Sequence, residues 1–178
     1  STYSFKHALV QEAAYASLLH SKRQRLHGQI ADAINEHFPE IVESHPELMA
    51  HHLAEAGLTE RAIEYFQKAG ELAIKRSANV EAISHLKRAH ELVQSLPDHQ
   101  GRTRKALELV VLLGQAMIAG RGYAAGDTKE VLLQAKALID DSTDPAQKFS
   151  ILYGIWACHY VGGDVVLQKD AALDFIRE

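Results

Sequence analysis

The clearest pattern of apolar and polar positions lies in residues 60–93, which have the sequence ERAIEYFQKAGELAIKRSANVEAISHLKRAHELV. Residues 62–69 (AIEYFQKA) are matched twenty positions later by residues 82–89 (AISHLKRA). Each copy places a small residue, a large apolar residue and a second small residue on one face of a helix. We therefore expect Ala69 and Gly70 to be buried where helices cross. Internal repetition of this kind predicts a stacked array of helices, an architecture typical of binding scaffolds.

The helical periodicity continues on both sides of this repeat. It predicts helices over residues 8–19, 22–38, 46–57, 59–77, 79–96, 103–120, 128–139, 145–161 and 164–176. Pro39 and Pro46 predict a loop between two of them, Gly57 a left-handed helix end, and Asn79 a helix cap. A flexible connection is predicted at Gly120, Gly122 and Gly126. The chain is thus expected to be all-α, with eight or nine helices and at most a small two-stranded wing near residues 3–5.

Composition narrows the class of protein. The chain has 178 residues, is 47% hydrophobic and carries a net charge of -4 with both signs intermixed, so no global basic field points to nucleic acid. A single cysteine, Cys158, excludes an internal disulfide framework and fits a reducing cytoplasm. No uninterrupted apolar run of about 18 residues is present to span a bilayer. We expect a cytoplasmic protein without a membrane partner.

Candidate chemistry is sparse. Eleven histidines are present, and His51, His52 and Glu55 lie close together, but the zinc-protease string H-E-x-x-H is absent. No physiological metal site and no cofactor are expected. Cys158 lies in the apolar run IWACHY, which predicts a buried structural thiol and not a nucleophile. No catalytic residue is therefore assigned.

Three stretches resemble the tetratricopeptide repeat: residues 49–69, residues 113–117 (LGQAM) and residues 153–160 (YGIWACHY). The resemblance implies a degenerate α-α superhelical array over residues 43–178, truncated at its end. The twenty-residue offset departs from the family period of about 34 residues. Helix 59–77 would consequently serve two units, with Phe66, Gly70 and Ala73 facing forward and Ala62 and Ile63 facing back. An ordinary helical bundle is the alternative.

The first forty residues carry a second resemblance. Residues 5–15 (FKHALVQEAAY), followed by the basic segment containing Arg23, Arg25 and His27, resemble the end of the winged-helix part of signal-transduction ATPases with numerous domains. This implies that residues 1–42 are the C-terminal part of a winged-helix region and that the chain belongs to a longer protein. By the same resemblance His7 contacts the phosphates of bound ADP; otherwise it is a helix-start histidine. The chain has no G-x-x-x-x-G-K-[ST] loop, so it is not expected to retain a nucleotide alone.

These patterns predict a non-enzymatic sensor or scaffold segment of a larger signalling ATPase. Its concave face is expected to bind a protein, a peptide or a small inducer, and the upstream ATPase module is its partner in the intact protein. The groove residues expected on that face are Glu47, His51, Glu55, Gln67, Glu71 and Lys75. The alternative is a nucleic-acid-binding winged helix with a helical dimerisation tail. It is disfavoured because the predicted helix over residues 8–19 contains no Lys or Arg.

Overall fold

The computed structural model describes residues 19–97 and 100–177, and every regular element within these ranges is a helix. In chain order the helices are α1 (His20–His37), α2 (Pro39–Ser44), α3 (Pro46–Glu55), α4 (Thr59–Lys75), α5 (Asn79–Gln94), α6 (Gln100–Arg121), α7 (Gly126–Ala137), α8 (Pro145–Gly162) and α9 (Val165–Arg177). The described ranges confirm the all-helical expectation. His7, the wing at residues 3–5 and nearly all of the first predicted helix lie outside them. None of the described helices is both long and apolar enough to cross a bilayer.

The chain divides into two compact units, residues 1–65 and residues 66–178, and the residues of α4 are shared between them. In the first unit α1 packs against both α2 and α3, which also contact each other. Burial there is concentrated on small and aliphatic side chains. Among the described residues of this unit, the buried apolar side chains include Ala31, Met49, Ala50, Leu53, Ala62 and Ile63.

The predicted loop between Pro39 and Pro46 is wrong, because both prolines begin helices. Pro39 opens the short helix α2 and Pro46 opens α3. The first position of a helix tolerates proline because its missing N–H would have no partner inside the helix. The end of α2 is closed by the Ser44 hydroxyl, which donates to the Glu40 carbonyl at 2.6 Å. Gly57, with φ of +77°, confirms the left-handed turn expected after α3.

In the second unit each helix packs on the next in chain order, from α5 against α6 to α8 against α9. Ala69 and Gly70 are buried where α4 crosses α5, which confirms the prediction made from the repeat. A Cβ atom added to Gly70 would lie 2.5 Å from Cγ of Leu86, so only glycine allows this approach. The Phe66 ring stacks on the His85 ring with centroids 6.4 Å apart. Phe66 and Gly70 therefore face forward along the chain, as the repeat predicts.

Two predictions about helix ends in this unit need correction. Asn79 is the first residue of α5, and Ala78 precedes it without any side-chain capping bond. Gly120 is not part of a flexible connection, because it lies inside α6 and a Cβ there would come within 3.0 Å of the Asn79 Cβ. Asn79 and Gly120 lie close to each other where α5 packs against α6. The helix ends later, at Arg121, and is followed by Gly122 in a left-handed conformation with φ of +79°.

Candidate partner-binding site

The six predicted groove residues are divided between the two compact units. Glu47, His51 and Glu55 lie on α3 in the first unit, and Gln67, Glu71 and Lys75 lie on α4 in the second. Glu47 accepts a hydrogen bond from His45 Nδ1 at 3.0 Å, and Lys75 is exposed at the end of its helix.

Gln67 is the centre of a polar bridge between α4 and α6. Its Nε2 donates to Glu71 Oε1 at 2.8 Å and to Glu108 Oε1 at 2.9 Å. The Gln67 side chain is only 8% exposed, so the prediction that it lies on an open groove is wrong. Both amide hydrogens are used to hold two carboxylates, and Gln67 consequently positions these acidic groups without itself facing a ligand.

Glu108 remains negatively charged at neutral pH. Partial burial favours the neutral carboxyl, but hydrogen bonds from Gln67 and Lys105 and the positive charges of Lys105 and Arg104 outweigh it and lower the Glu108 pKa. The Lys105 ammonium lies 3.2 Å from Glu108 Oε2. The bridge therefore presents an ionised carboxylate next to two basic side chains.

A polar cavity of about 460 Å³, here called the α6 cleft, opens beside Glu108. It is formed by the first turns of α6, the loop between α7 and α8, and the start of α8. Its lining residues are Thr103, Arg104, Leu107, Glu108, Leu138, Asp140, Ser142, Thr143, Asp144 and Gln147. Hydroxyl groups are present, but these described lining residues include no histidine or lysine that could activate them. The cleft offers a ligand hydroxyl groups, carboxylates and the Arg104 guanidinium.

The loop wall of the α6 cleft is held by its own hydrogen bonds. The Asp140 carboxylate accepts from the Ser142 hydroxyl at 2.7 Å, the Ser142 N–H at 2.9 Å and the Thr143 hydroxyl at 3.1 Å. The Ser142 and Thr143 hydroxyls are the main cause of the lowered pKa of Asp140. Asp144 caps α8 by accepting from the Gln147 N–H at 3.1 Å. The bonds to Asp140 fix the position of a second ionised carboxylate in the cleft that Arg104 also lines.

Helix α8 carries a row of aromatic side chains that was interpreted from sequence only as part of a repeat. Phe149, Tyr153, Trp156 and Tyr160 follow one another at helical spacing, and the Trp156 and Tyr160 rings are stacked with centroids 5.5 Å apart. With Ala172, Phe175 and Ile176 of α9, three of these aromatic residues line an apolar groove of about 370 Å³. The signal was available in the sequence, because a helix that is apolar on every side leaves apolar groups exposed unless it is wholly covered.

His51 belongs to a cluster of imidazoles in the first unit. Its ring centroid lies 5.7 Å from that of His27 on α1 and 5.4 Å from that of His52. His27 Nδ1 and His52 Nδ1 are 2.8 Å apart and share a hydrogen bond. Burial lowers the pKa of both His27 and His52, although the nearby Glu55 charge opposes the effect. Over residues 19–97 and 100–177 no group of three or more His, Cys, Asp or Glu residues could hold a metal ion.

No protein-family model and no solved structure matches the chain. A curated protein of Rhizobium meliloti (strain 1021), which is named only as uncharacterized, is similar to it at 29% identity. The similarity covers 98% of this chain but 17% of that relative. The chain thus spans about a sixth of the length of the curated relative it matches.

Proposed function

We propose that the chain is a non-enzymatic, tetratricopeptide-like segment of a larger cytoplasmic signal-transduction ATPase. In this proposal residues 1–42 end its winged-helix region, and the following helices bind a protein, a peptide or a small inducer. The repeat supports the proposal most directly, since Ala62, Phe66 and Ala69 of α4 are buried and so are their counterparts Ala82, Leu86 and Ala89 of α5. The far greater length of the Rhizobium relative is compatible with a segment of this kind.

The α6 cleft is the proposed ligand-binding site. In a tetratricopeptide-like array the first helix of each pair lines the binding face, and α6 occupies that place in the pair formed with α7. Glu108 and Asp140 can accept hydrogen bonds from a basic side chain, while Arg104 can bind a carboxylate. A peptide that carries both kinds of charge matches this arrangement. Ligand binding there would bias the switch of the attached ATPase module.

Selection of random phage-displayed peptides on the chain tests this function. Enriched peptides are expected to bind the parent chain and to lose at least about tenfold in affinity for Arg104→Glu, equivalent to about 1.4 kcal/mol. Lys87→Glu is the matched control, because it reverses an exposed basic charge on α5 and should leave the affinity unchanged. Absence of enrichment, or peptides that ignore Arg104→Glu, would contradict the assignment of the cleft.

A further inference from the structure

The polar bridge between α4 and α6 contains more hydrogen-bond acceptors than donors. Gln67 Nε2 donates to Glu71 Oε1 and Glu108 Oε1, and Lys105 Nζ donates to Glu108 Oε2. Gln67 is 8% exposed, and its Oε1 atom has no hydrogen-bond partner within the described part of the chain. Because Oε1 and Nε2 belong to one planar amide, this oxygen lies at the end of the side chain that reaches between the two carboxylates. A buried acceptor without a donor is costly and therefore needs an explanation.

The opposite orientation of the Gln67 amide would not remove this imbalance. It would place Oε1 against Glu71 and Glu108, whose carboxylate oxygens also accept hydrogen bonds. Both bonds from Nε2 would be lost. The observed orientation is consequently the favourable one, and additional donors have to come from outside these residues.

The charges of the bridge favour a cationic donor. Glu108 forms an ion pair with Lys105 and also feels the charge of Arg104, whereas no described residue forms an ion pair with Glu71. Two carboxylates that contact one amide nitrogen repel each other, and a positive charge next to both offsets the repulsion. The Glu108 side chain is 48% exposed and lines the α6 cleft. A group bound in the cleft can therefore reach it.

An arginine side chain has the chemistry that this arrangement requires. The bonded oxygens of Glu71 and Glu108 are at most about 6 Å apart, because both lie within hydrogen-bond distance of Gln67 Nε2. A planar guanidinium has five N–H donors in a fixed fork and can contact both carboxylates at once. A lysine ammonium has three donors, is more strongly hydrated and forms no bidentate pair. The positive charge would also stabilise the dipole of the unpartnered Gln67 carbonyl.

We propose that Glu71 and Glu108 form an arginine subsite, which Gln67 positions and which binds an arginine side chain of the partner peptide or protein. This inference deepens the proposed function and rests on it, because the subsite shares Glu108 with the α6 cleft. It adds Glu71 to the residues that contact the partner. It also names the side chain that the partner must present.

NMR titration of the isotope-labelled full chain with Nα-acetyl-arginine methylamide tests the subsite without a selected peptide. The signals of the Gln67 side-chain amide are expected to shift, and Glu71→Gln should weaken binding at least about tenfold, since it removes one of the two charged acceptors. Glu81→Gln is the matched control, because it neutralises an exposed carboxylate on α5 and should leave the affinity unchanged. The neutral analogue Nα-acetyl-citrulline methylamide should not bind. Glutamine has the shape of glutamate, so both variants are expected to fold, and circular dichroism verifies it.

The lysine counterpart of the probe tests selectivity. Nα-acetyl-lysine methylamide should bind the parent several-fold more weakly than the arginine probe does. Gln67→Met preserves the side-chain length but removes both donors, and it should reduce this preference, which a general loosening of the helices would not do selectively.

Absence of arginine-induced shifts, equal affinity for the two cationic probes, or unchanged binding by Glu71→Gln would overturn the proposal. Phage-selected peptides that depend on Arg104 but bind Glu71→Gln normally would also overturn it, while leaving the proposed function intact. Arginine binding that depends on Glu71, without enrichment of any peptide, would support the subsite and contradict the peptide-binding function. The two proposals therefore fail in distinguishable ways.

Discussion

At the scale of single residues, the hydrogen bond between His27 and His52 limits the charge that the first unit can carry. Two Nδ1 atoms 2.8 Å apart can share one hydrogen, so at least one of the two imidazoles must be neutral at that nitrogen. Burial is the largest cause of the lowered pKa of each ring, and the neighbouring imidazoles lower it further. His27 and His52 therefore bind protons less readily in the folded chain than in the unfolded chain.

This difference predicts that stability is lost on mild acidification. The unfolded histidines bind protons near pH 6.5, whereas the folded ones resist them to lower pH, so the free energy of unfolding should fall as the pH drops below about 6.5. Each such histidine adds a slope of at most about 1.4 kcal/mol per pH unit. Urea unfolding between pH 7 and pH 5 should show a smaller slope for His52→Gln than for the parent.

His37→Gln provides the control for that experiment, because the His37 side chain is 62% exposed on α1. It should reproduce the parent slope. Some slope is expected to persist in His52→Gln, since His90 also has a pKa lowered by burial. Equal slopes for all three proteins would show that the imidazole pair does not govern the acid response.

This pair could be only half predicted from sequence. The neighbours His51 and His52 were evident on one predicted helix, and His51 was placed on the binding face. His27, by contrast, is separated from His52 by 25 positions, and its place in the cluster depends on how α1 packs against α3. Local periodicity gives no register between two helices, so a pairing of this kind needs the tertiary structure.

At the scale of helices, the crossing of α4 and α5 depends on the absence of a side chain at Gly70. A Cβ at this position would lie 2.5 Å from Leu86 Cγ and 2.7 Å from Cδ2, and Leu86 itself is fully buried. Any shift of the leucine would have to be accommodated by the atoms around it. The two helices would have to separate to accept even one methyl group.

Gly70→Ala is therefore expected to destabilise the chain by about 1–2 kcal/mol, because overpacking of about 1–3 kcal/mol exceeds the gain of up to about 1 kcal/mol in helix propensity. Gly28→Ala is the matched control in the middle of α1, where the new Cβ would meet the Ala56 Cβ at an ordinary 3.9 Å. That change should stabilise by about 0.5–1 kcal/mol. Chemical denaturation measures both, and a stabilising Gly70→Ala would exclude tight packing at the crossing.

Helix positions were predicted well where the apolar periodicity was strong. They were predicted poorly where the prediction depended on a proline or a glycine. The repeated sequence of α4 and α5 correctly predicted that Ala69 and Gly70 are buried at a helix crossing. Pro39 predicts a loop in the sequence but begins a helix in the structure, because proline is also favourable at the first helical position. Gly120 predicts a flexible connection in the sequence but lies inside α6, where it allows close packing against α5. Both residue types have two structural uses, and only the neighbouring helix distinguishes them.

At the scale of the whole molecule, the proposed ATPase context predicts how nucleotides behave. Because the sequence lacks a phosphate-binding loop, calorimetry of ATP and ADP against this chain should show no binding. In the intact protein His7→Ala should weaken ADP retention roughly ten- to a hundredfold, as expected for loss of a hydrogen bond to a charged group of about 1.5–3 kcal/mol. Basal signalling should rise correspondingly.

His37→Ala in the intact protein is a suitable comparison, because it removes an exposed imidazole from the same proposed winged-helix region without removing His7. It should leave nucleotide content unchanged. Tight ATP binding by the isolated chain, or normal ADP retention by His7→Ala, would refute the assignment of His7.

The binding surface was less predictable than the helices. Gln67 and Glu71 were correctly assigned to neighbouring turns of one helix, and they do form a hydrogen bond. The hydrogen bond from Gln67 to Glu108, which lies 41 positions further along the chain, was not visible in the sequence. Nor was the cleft beside it, since the wall that holds Asp140 belongs to a loop without periodicity. Sites assembled from distant turns and loops require the three-dimensional arrangement.

The burial of Cys158 has a practical consequence for observing motion in this chain. Cys158 is the single cysteine of the sequence, it lies on α8 with only 4% exposure, and burial raises the pKa of its thiol. Thiol reagents attack the thiolate and need access, so modification should proceed only when α8 transiently separates from its neighbours. The rate at which a thiol reagent labels Cys158 in the native chain therefore reports how often α8, the helix that bears the aromatic row, separates from its neighbours.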